Sequence, residues 1–357
     1  MSGQALGEAQ ADKRNAATIE ALTQIWERVL QRSPLGPKDN FYDLSGKDEL
    51  ADRIFAEVAR IFNRQLPTAT ICYAPTIAAL AAVLQQPALP RFSPLVPLKA
   101  GGKHPPILIT HGVGGRASFS ELAEHIRTEN PIYGIQAKGV DGLEAPLERI
   151  EDMAEYYLDA LCELQPEGPY ALIGYSFGGL ISLEMAQRLL KNGKQVALLV
   201  LVDTYPHPRF LPSRERLWLA ARRIKGHLAD LKRKPVPIAL ARVLDALRLR
   251  VHIGETHKRR SHATEAIRLS FAESTRRVKR SDLLAMKRYR PQFYPGKINF
   301  VRPQANSYLP NDPSAVWKNL AAQFEVKTVP GDHLGIVGEH FKDLAAVLLG
   351  YVKTALS

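Results

Sequence analysis

The sequence predicts an α/β protein: a mostly parallel sheet covered by helices, with a small all-helical bundle ahead of it. Short apolar runs alternate with helical patterns beyond Lys99, and apolar residues recur at helical spacing before residue 86. A proline-rich stretch separates the two patterns.

Residues 1–16 are polar and are expected to be loose. Within 17–86, Ile19, Leu22, Ile25, Trp26, Val29 and Leu30 share one helical stripe, and Leu50, Ile54, Val58 and Ile61 share a second. A third helix is expected from Pro75-Thr76-Ile77 to about Gln86, with proline tolerated at the entry. Residues 87–98 carry Pro87, Pro90, Pro94 and Pro97 and read as a stiff linker. In the α/β domain, 99–357, the runs Ile107–Thr110, Ile132–Ile135, Tyr170–Ile173 and Val196–Val202 are bounded by glycine, proline or polar residues, as strands buried on both faces are. Ile298–Arg302 and Phe324–Val329 add two more strands before a last helix over roughly 339–354.

Composition bounds the function class. With 45% hydrophobic and 24% charged residues, 357 positions supply a sizeable core. The apolar run Val196–Val202 is too short to span a bilayer, and the first residues lack a secretory signal, so the expectation is a cytoplasmic protein. Cys72 and Cys162 lie far apart between apolar neighbours, which predicts two buried small apolar side chains and neither disulfide nor metal site. The net charge of +12 is concentrated: residues 209–290 hold 23 Lys/Arg against 7 Asp/Glu. No nucleic-acid recognition motif accompanies this charge, so nucleic acid is not an expected partner.

The chemistry centres on Gly174-Tyr-Ser176-Phe-Gly178, placed between an apolar strand and the helical pattern that begins at Gly179. A serine in a sharp strand-to-helix turn needs small neighbours two residues away on each side, and the helix N-terminus favours developing negative charge. The pattern resembles the nucleophile turn of an α/β hydrolase, and it makes Ser176 the candidate nucleophile. A serine hydroxyl needs a base. His333, in the loop after the last strand, is the candidate. The acid that orients it is either Asp203, at the end of the strand after the nucleophile's, or Asp312, after the later strand; Asp332 is adjacent to His333 and badly placed to bond its ring. The two amide donors for an oxyanion are expected from Phe177 and from Val113 in the turn His111-Gly-Val-Gly-Gly115.

From about Ser93 onward the sequence resembles the thioesterase domains of nonribosomal peptide and polyketide synthases. The matching segments are Ser93-Pro-Leu-Val-Pro-Leu-Lys, Ile109-Thr-His-Gly-Val-Gly-Gly, Tyr133-Gly-Ile-Gln-Ala-Lys-Gly, Ile150-Glu-Asp-Met-Ala, Gln165-Pro-Glu-Gly-Pro-Tyr, Gly174-Tyr-Ser-Phe-Gly-Gly and Val329-Pro-Gly-Asp-His. The resemblance implies Asp203 as the acid and a helical lid over about 206–290. Residues 17–86 resemble a carrier protein through Asp39-Asn-Phe-Tyr-Asp-Leu and Tyr73-Ala-Pro-Thr-Ile-Ala-Ala-Leu. Where such carriers have the serine that holds phosphopantetheine, this chain has Asp48, and Ser45 lies three residues too early. The resemblance therefore implies a pseudo-carrier with no covalent cofactor. The acyl group would arrive on the phosphopantetheine of a carrier protein in trans, or on coenzyme A. An acidic carrier would be attracted to the basic lid, unless its Lys and Arg simply solvate the outer faces of amphipathic lid helices. Hydrolysis is the leading expectation. Acyl transfer or cyclisation, and a docking role for the pseudo-carrier, remain alternatives.

Overall fold

The computed structural model describes residues 2–44, 48–68, 70–86, 92–116, 119–219, 221, 271–305 and 312–356. Five helices form the N-terminal bundle: α1 (Ser2–Leu30), α2 (Phe41–Leu44), α3 (Asp48–Phe62), α4 (Thr70–Tyr73) and α5 (Ile77–Gln85). Their apolar stripes meet as the periodicity requires, with Leu22, Ile25, Trp26, Ile54, Val58, Ile77 and Leu80 buried together. Thr76 caps α5, its hydroxyl accepting from the Ala79 amide at 3.1 Å.

The α/β domain is one sheet of β1 (Leu95–Lys99), β2 (Ile107–Thr110), β3 (Ile132–Ile135), β4 (Tyr170–Tyr175), β5 (Val196–Val202), β6 (Tyr294–Pro303) and β7 (Ala321–Val329). The spatial order is β1-β3-β2-β4-β5-β6-β7, with β1 antiparallel to β3 and the other pairs parallel. All residues of β2 and β4 are buried, which explains why these strands read as unbroken apolar runs.

One face of the sheet is covered by α7 (Ile150–Leu164), α8 (Phe177–Lys191) and α9 (Phe271–Arg288), the other by α6 (Ser120–His125) and α11 (Phe341–Leu356). A short helix, α10 (Ser314–Trp317), precedes β7. The chain leaves β2 toward β3 on one side, and β4 lies on the other. The C-terminal ends of β2 and β4 therefore flank the switch point, where open parallel sheets place their sites.

Three sequence expectations need correction. Residues 2–16 continue α1 as helix and are not a loose end. Residues 95–98 are strand and not linker, because Pro97 sits on the edge strand β1, where its missing N–H is tolerated. Cys162 is exposed on α7, although Leu161 beside it is fully buried, since adjacent helical positions point about 100° apart. The side chain of Cys72 lies outside the described residues. Of the expected lid, residues 222–270 also lie outside them; its described parts are a 3-10 turn (Pro208–Phe210), helical residues 213–219 and 221, and α9.

The two parts of the chain share apolar contacts. The core of the helical bundle runs on into Ala137, Val140 and Val278 of the α/β domain. At its edge, Asn40 Nδ2 donates to Ser120 Oγ at 2.8 Å.

Candidate active site

Ser176 occupies the turn between β4 and α8 with φ 54° and ψ −118°, a conformation that costs a non-glycine residue roughly 1–3 kcal/mol. The glycines around it are required by space. A Cβ on Gly174 would overlap the backbone of Gly179, and one on Gly178 would lie 2.5 Å from the Thr110 carbonyl oxygen and closer still to that of His111. Gly178→Ala is expected to lower thermal stability, since overpacking of this kind costs about 1–3 kcal/mol or more. An unchanged unfolding midpoint would contradict the stated contact. The Ser176 hydroxyl makes no capping bond to α8, and the side chain is half-buried. The Phe177 amide is the first of α8 and has no carbonyl one turn earlier in the helix to bond.

β5, the neighbour of β4, is followed at once by Asp203, which has φ 44° and is 2% exposed. Its backbone is held at several points. The Asp203 amide donates to Val301 O at 2.8 Å, and Trp317 Nε1 donates to Thr204 O at 2.9 Å. The Asp203 carboxylate meets the loop after β7, where Oδ2 lies 2.6 Å from His333 Nδ1. With Nδ1 carrying the proton, the ring donates to the carboxylate and Nε2 is left as the basic atom.

Tyr175 ties these loops together. Its hydroxyl donates to His333 O at 2.6 Å and its ring stacks on the imidazole at 5.2 Å between centroids. The Ser176 amide donates to Val202 O at 2.8 Å, next to Asp203. The other two carboxylates have different work. Asp312 Oδ1 accepts from the Ser314 amide at 2.8 Å, at the start of α10, while Asp332 Oδ1 accepts from Leu334 and Gly335 and so folds the loop itself.

The turn after β2 is built around a buried histidine that sequence reasoning missed. His111 Nδ1 lies 2.7 Å from Gly112 O and donates to it, so Nε2 accepts from the Tyr157 hydroxyl at 3.1 Å. Burial pushes the ring's pKa down to about 4. The folded chain therefore binds fewer protons at His111 than the unfolded chain does between about 4 and the ordinary 6.5. The stability tied to neutral His111 is present above 6.5 and is lost as the pH falls toward 4, up to about 3 kcal/mol. Asp43, pushed up to about 6, and Asp282, pushed up to about 7, have the opposite sign. The difference between the wild-type and His111→Gln stability curves should isolate the histidine. Denaturant titrations from pH 7 to 4 should show the variant losing less, and parallel curves would contradict this.

Val113 lies in this turn between Gly112 and Gly114. Asp48 opens α3, with its side chain outside the described residues, as is Ser45. Among the described residues no group of His, Cys, Asp or Glu is placed to hold a metal ion, and no helix is long and apolar enough to cross a membrane.

A strained serine after a central strand, with a buried carboxylate and a histidine bonded together on neighbouring loops, places the molecule among the α/β hydrolases. Within that class the chain belongs to the thioesterase domain family, whose model matches residues 105–349. It is 36% identical over 201 residues to a dimodular nonribosomal peptide synthase of Bacillus subtilis (strain 168), a match covering 55% of this chain and 8% of that protein. It is also 36% identical over 187 residues to malpibaldin synthetase of Mortierella alpina, covering 51% and 3%. The chain thus matches a small part of these relatives' length. A four-domain nonribosomal peptide synthetase, holo-AB3403 bound to AMP and glycine, shares the fold with a TM-score of 0.54 at 22% identity, over 93% of this chain and 26% of that one.

Proposed function

We propose that the protein is a serine-type thioesterase that releases an acyl, peptidyl or polyketide chain from a carrier-protein or coenzyme A thioester. The observation that carries this reading is the 2.6 Å bond between His333 Nδ1 and buried Asp203, joined through Tyr175 to the strained turn at Ser176. In the mechanism, His333 Nε2 takes the Ser176 proton as Oγ attacks the thioester carbonyl carbon. Asp203 stabilises the imidazolium, and the amides of Val113 and Phe177 hold the oxyanion. Collapse expels the thiol, which receives the proton from His333. Water then gives its proton to the same nitrogen, its oxygen attacks the acyl-enzyme, and the acid leaves as Ser176 recovers its proton.

The acyl group would arrive on a phosphopantetheine that this helical bundle does not carry, or on coenzyme A, because an aspartate at position 48 cannot form the phosphodiester that a carrier serine forms. The basic segment 209–290 suits an acidic carrier and the pantetheine phosphate. The continuity of the helical bundle's core with Ala137, Val140 and Val278 favours a supporting role within this chain over that of a free docking module.

Product analysis tests the reaction. With an acyl N-acetylcysteamine thioester and candidate amine or alcohol acceptors, free acid is the expected product in every case. An amide, ester or lactone as the main product would replace hydrolysis by transfer or cyclisation.

A further inference from the structure

We propose that Asp282, on α9 of the expected lid, is a positioning residue that sets the Val113 peptide toward the oxyanion. This inference rests on the serine acyl-transfer reading above.

Three peptides of the turn 111–115 are held by three different groups. In a trans peptide the carbonyl and the following N–H point to opposite sides. The His111 side chain holds the Gly112 carbonyl and so directs the Val113 N–H the other way. The next peptide is held from outside the domain's sheet: the Gly114 amide donates to Asp282 Oδ2 at 2.9 Å. Beyond it, the Gly115 carbonyl accepts from the Ala137 amide at 2.8 Å. With the planes on both sides of Val113 fixed, its own dihedrals have little freedom.

Gly114 gains from such a constraint. Its φ is 110° and nothing lies within 4 Å of where a Cβ would be, so apart from the long Gly115 amide bond to Gly112 O at 3.4 Å it has little to restrict it. Asp282 supplies the restraint from a helix 168 residues further along the chain. The same face of α9 makes the neighbouring contacts, at spacings of four residues. Ser274 Oγ donates to Val140 O at 2.9 Å, and a Cβ on Gly115 would meet Val278 Cγ1 at 2.7 Å.

The carboxyl is costly where it stands. Asp282 is 1% exposed, and its Oδ1 is buried with no hydrogen-bond partner. Burial pushes its pKa up to about 7, while the Gly114 bond pulls it down. Among the described residues, the side chain's one hydrogen bond is to the turn that carries the oxyanion donor.

The test uses the full chain and the same acyl N-acetylcysteamine thioester, with Asp282→Leu and Asp282→Asn. Leucine keeps the side chain's branching but accepts nothing, whereas the asparagine oxygen can still accept from Gly114. The leucine variant should lose tenfold or more in kcat with KM within threefold, while the asparagine variant stays within about threefold on both. A purely structural role would not divide kcat from KM or be rescued by asparagine. If the leucine variant does not fold, Asp282→Val, smaller and also without an acceptor, gives the same comparison. Wild-type kcat in the leucine or valine variant, or an equal loss in the asparagine variant, would overturn the proposal. Labelling of wild-type Ser176 by a fluorophosphonate separates the two readings. Labelled Ser176 with an unaffected leucine variant sinks only the role of Asp282, whereas failure to label the wild type sinks the serine mechanism beneath it.

Discussion

Ser176→Ala is expected to lower kcat on an acyl thioester by about 10⁴-fold or more, the scale seen when a nucleophilic serine is removed from such a site. The change takes away one oxygen and little else. That hydroxyl does not cap α8, and the turn's backbone is held by the Ser176 amide's bond to Val202 O at 2.8 Å and by the glycines that allow close approach. Thermal unfolding should therefore match that of the wild type, which lets the rate loss be assigned to chemistry. KM should change little, because the acyl chain binds through the rest of the pocket. Activity within tenfold of wild type would remove Ser176 from the mechanism.

Asp203→Asn is expected to produce a loss of about 10⁴-fold in kcat, through the proton on the imidazole and not through the shape of the site. Asparagine has the same size as aspartate, and the backbone anchors at Val301 and Trp317 do not involve the side chain. An asparagine NH2 turned toward Nδ1 would place the ring's proton on Nε2, the atom that must be free to accept from serine. The loss should appear in kcat at every pH where the wild type is active. Asp312→Asn should leave kcat unchanged, because that carboxylate bonds the Ser314 amide. Equal effects at the two positions would contradict the assignment.

How far the sequence discloses this arrangement depends on what each element must do physically. β2, β4 and β5 are buried on both faces, so their composition alone marks them as strands. β1 hides because it is an antiparallel edge strand that accommodates Pro97, and a proline-rich stretch reads as linker until its partner β3 is known. The start of α1 is similarly hidden, since its polar residues carry no apolar stripe.

At the site, Ser176 is legible because steric demands force a fixed glycine spacing around it, and His333 because of its loop. The choice between Asp203 and Asp312 is not legible from spacing: both follow strands, and only the folding of the loop after β7 brings one of them to the imidazole. Tyr175 lies inside the serine motif, at a position the motif leaves unspecified, yet it bonds and stacks on the His333 loop. His111 sits at the start of the glycine turn, where its one visible signal is its place after a buried strand. Asp282 gives no signal, being one of two acidic residues in a strongly basic helix.

The most direct measurement is the intact mass of the full chain after rapid mixing with an acyl N-acetylcysteamine thioester, followed by peptide mapping. A single acyl adduct on Ser176 that forms in the wild type and is absent from Ser176→Ala is the predicted result. Turnover that proceeds undiminished with no adduct on Ser176, or with the acyl group on another residue, would contradict it.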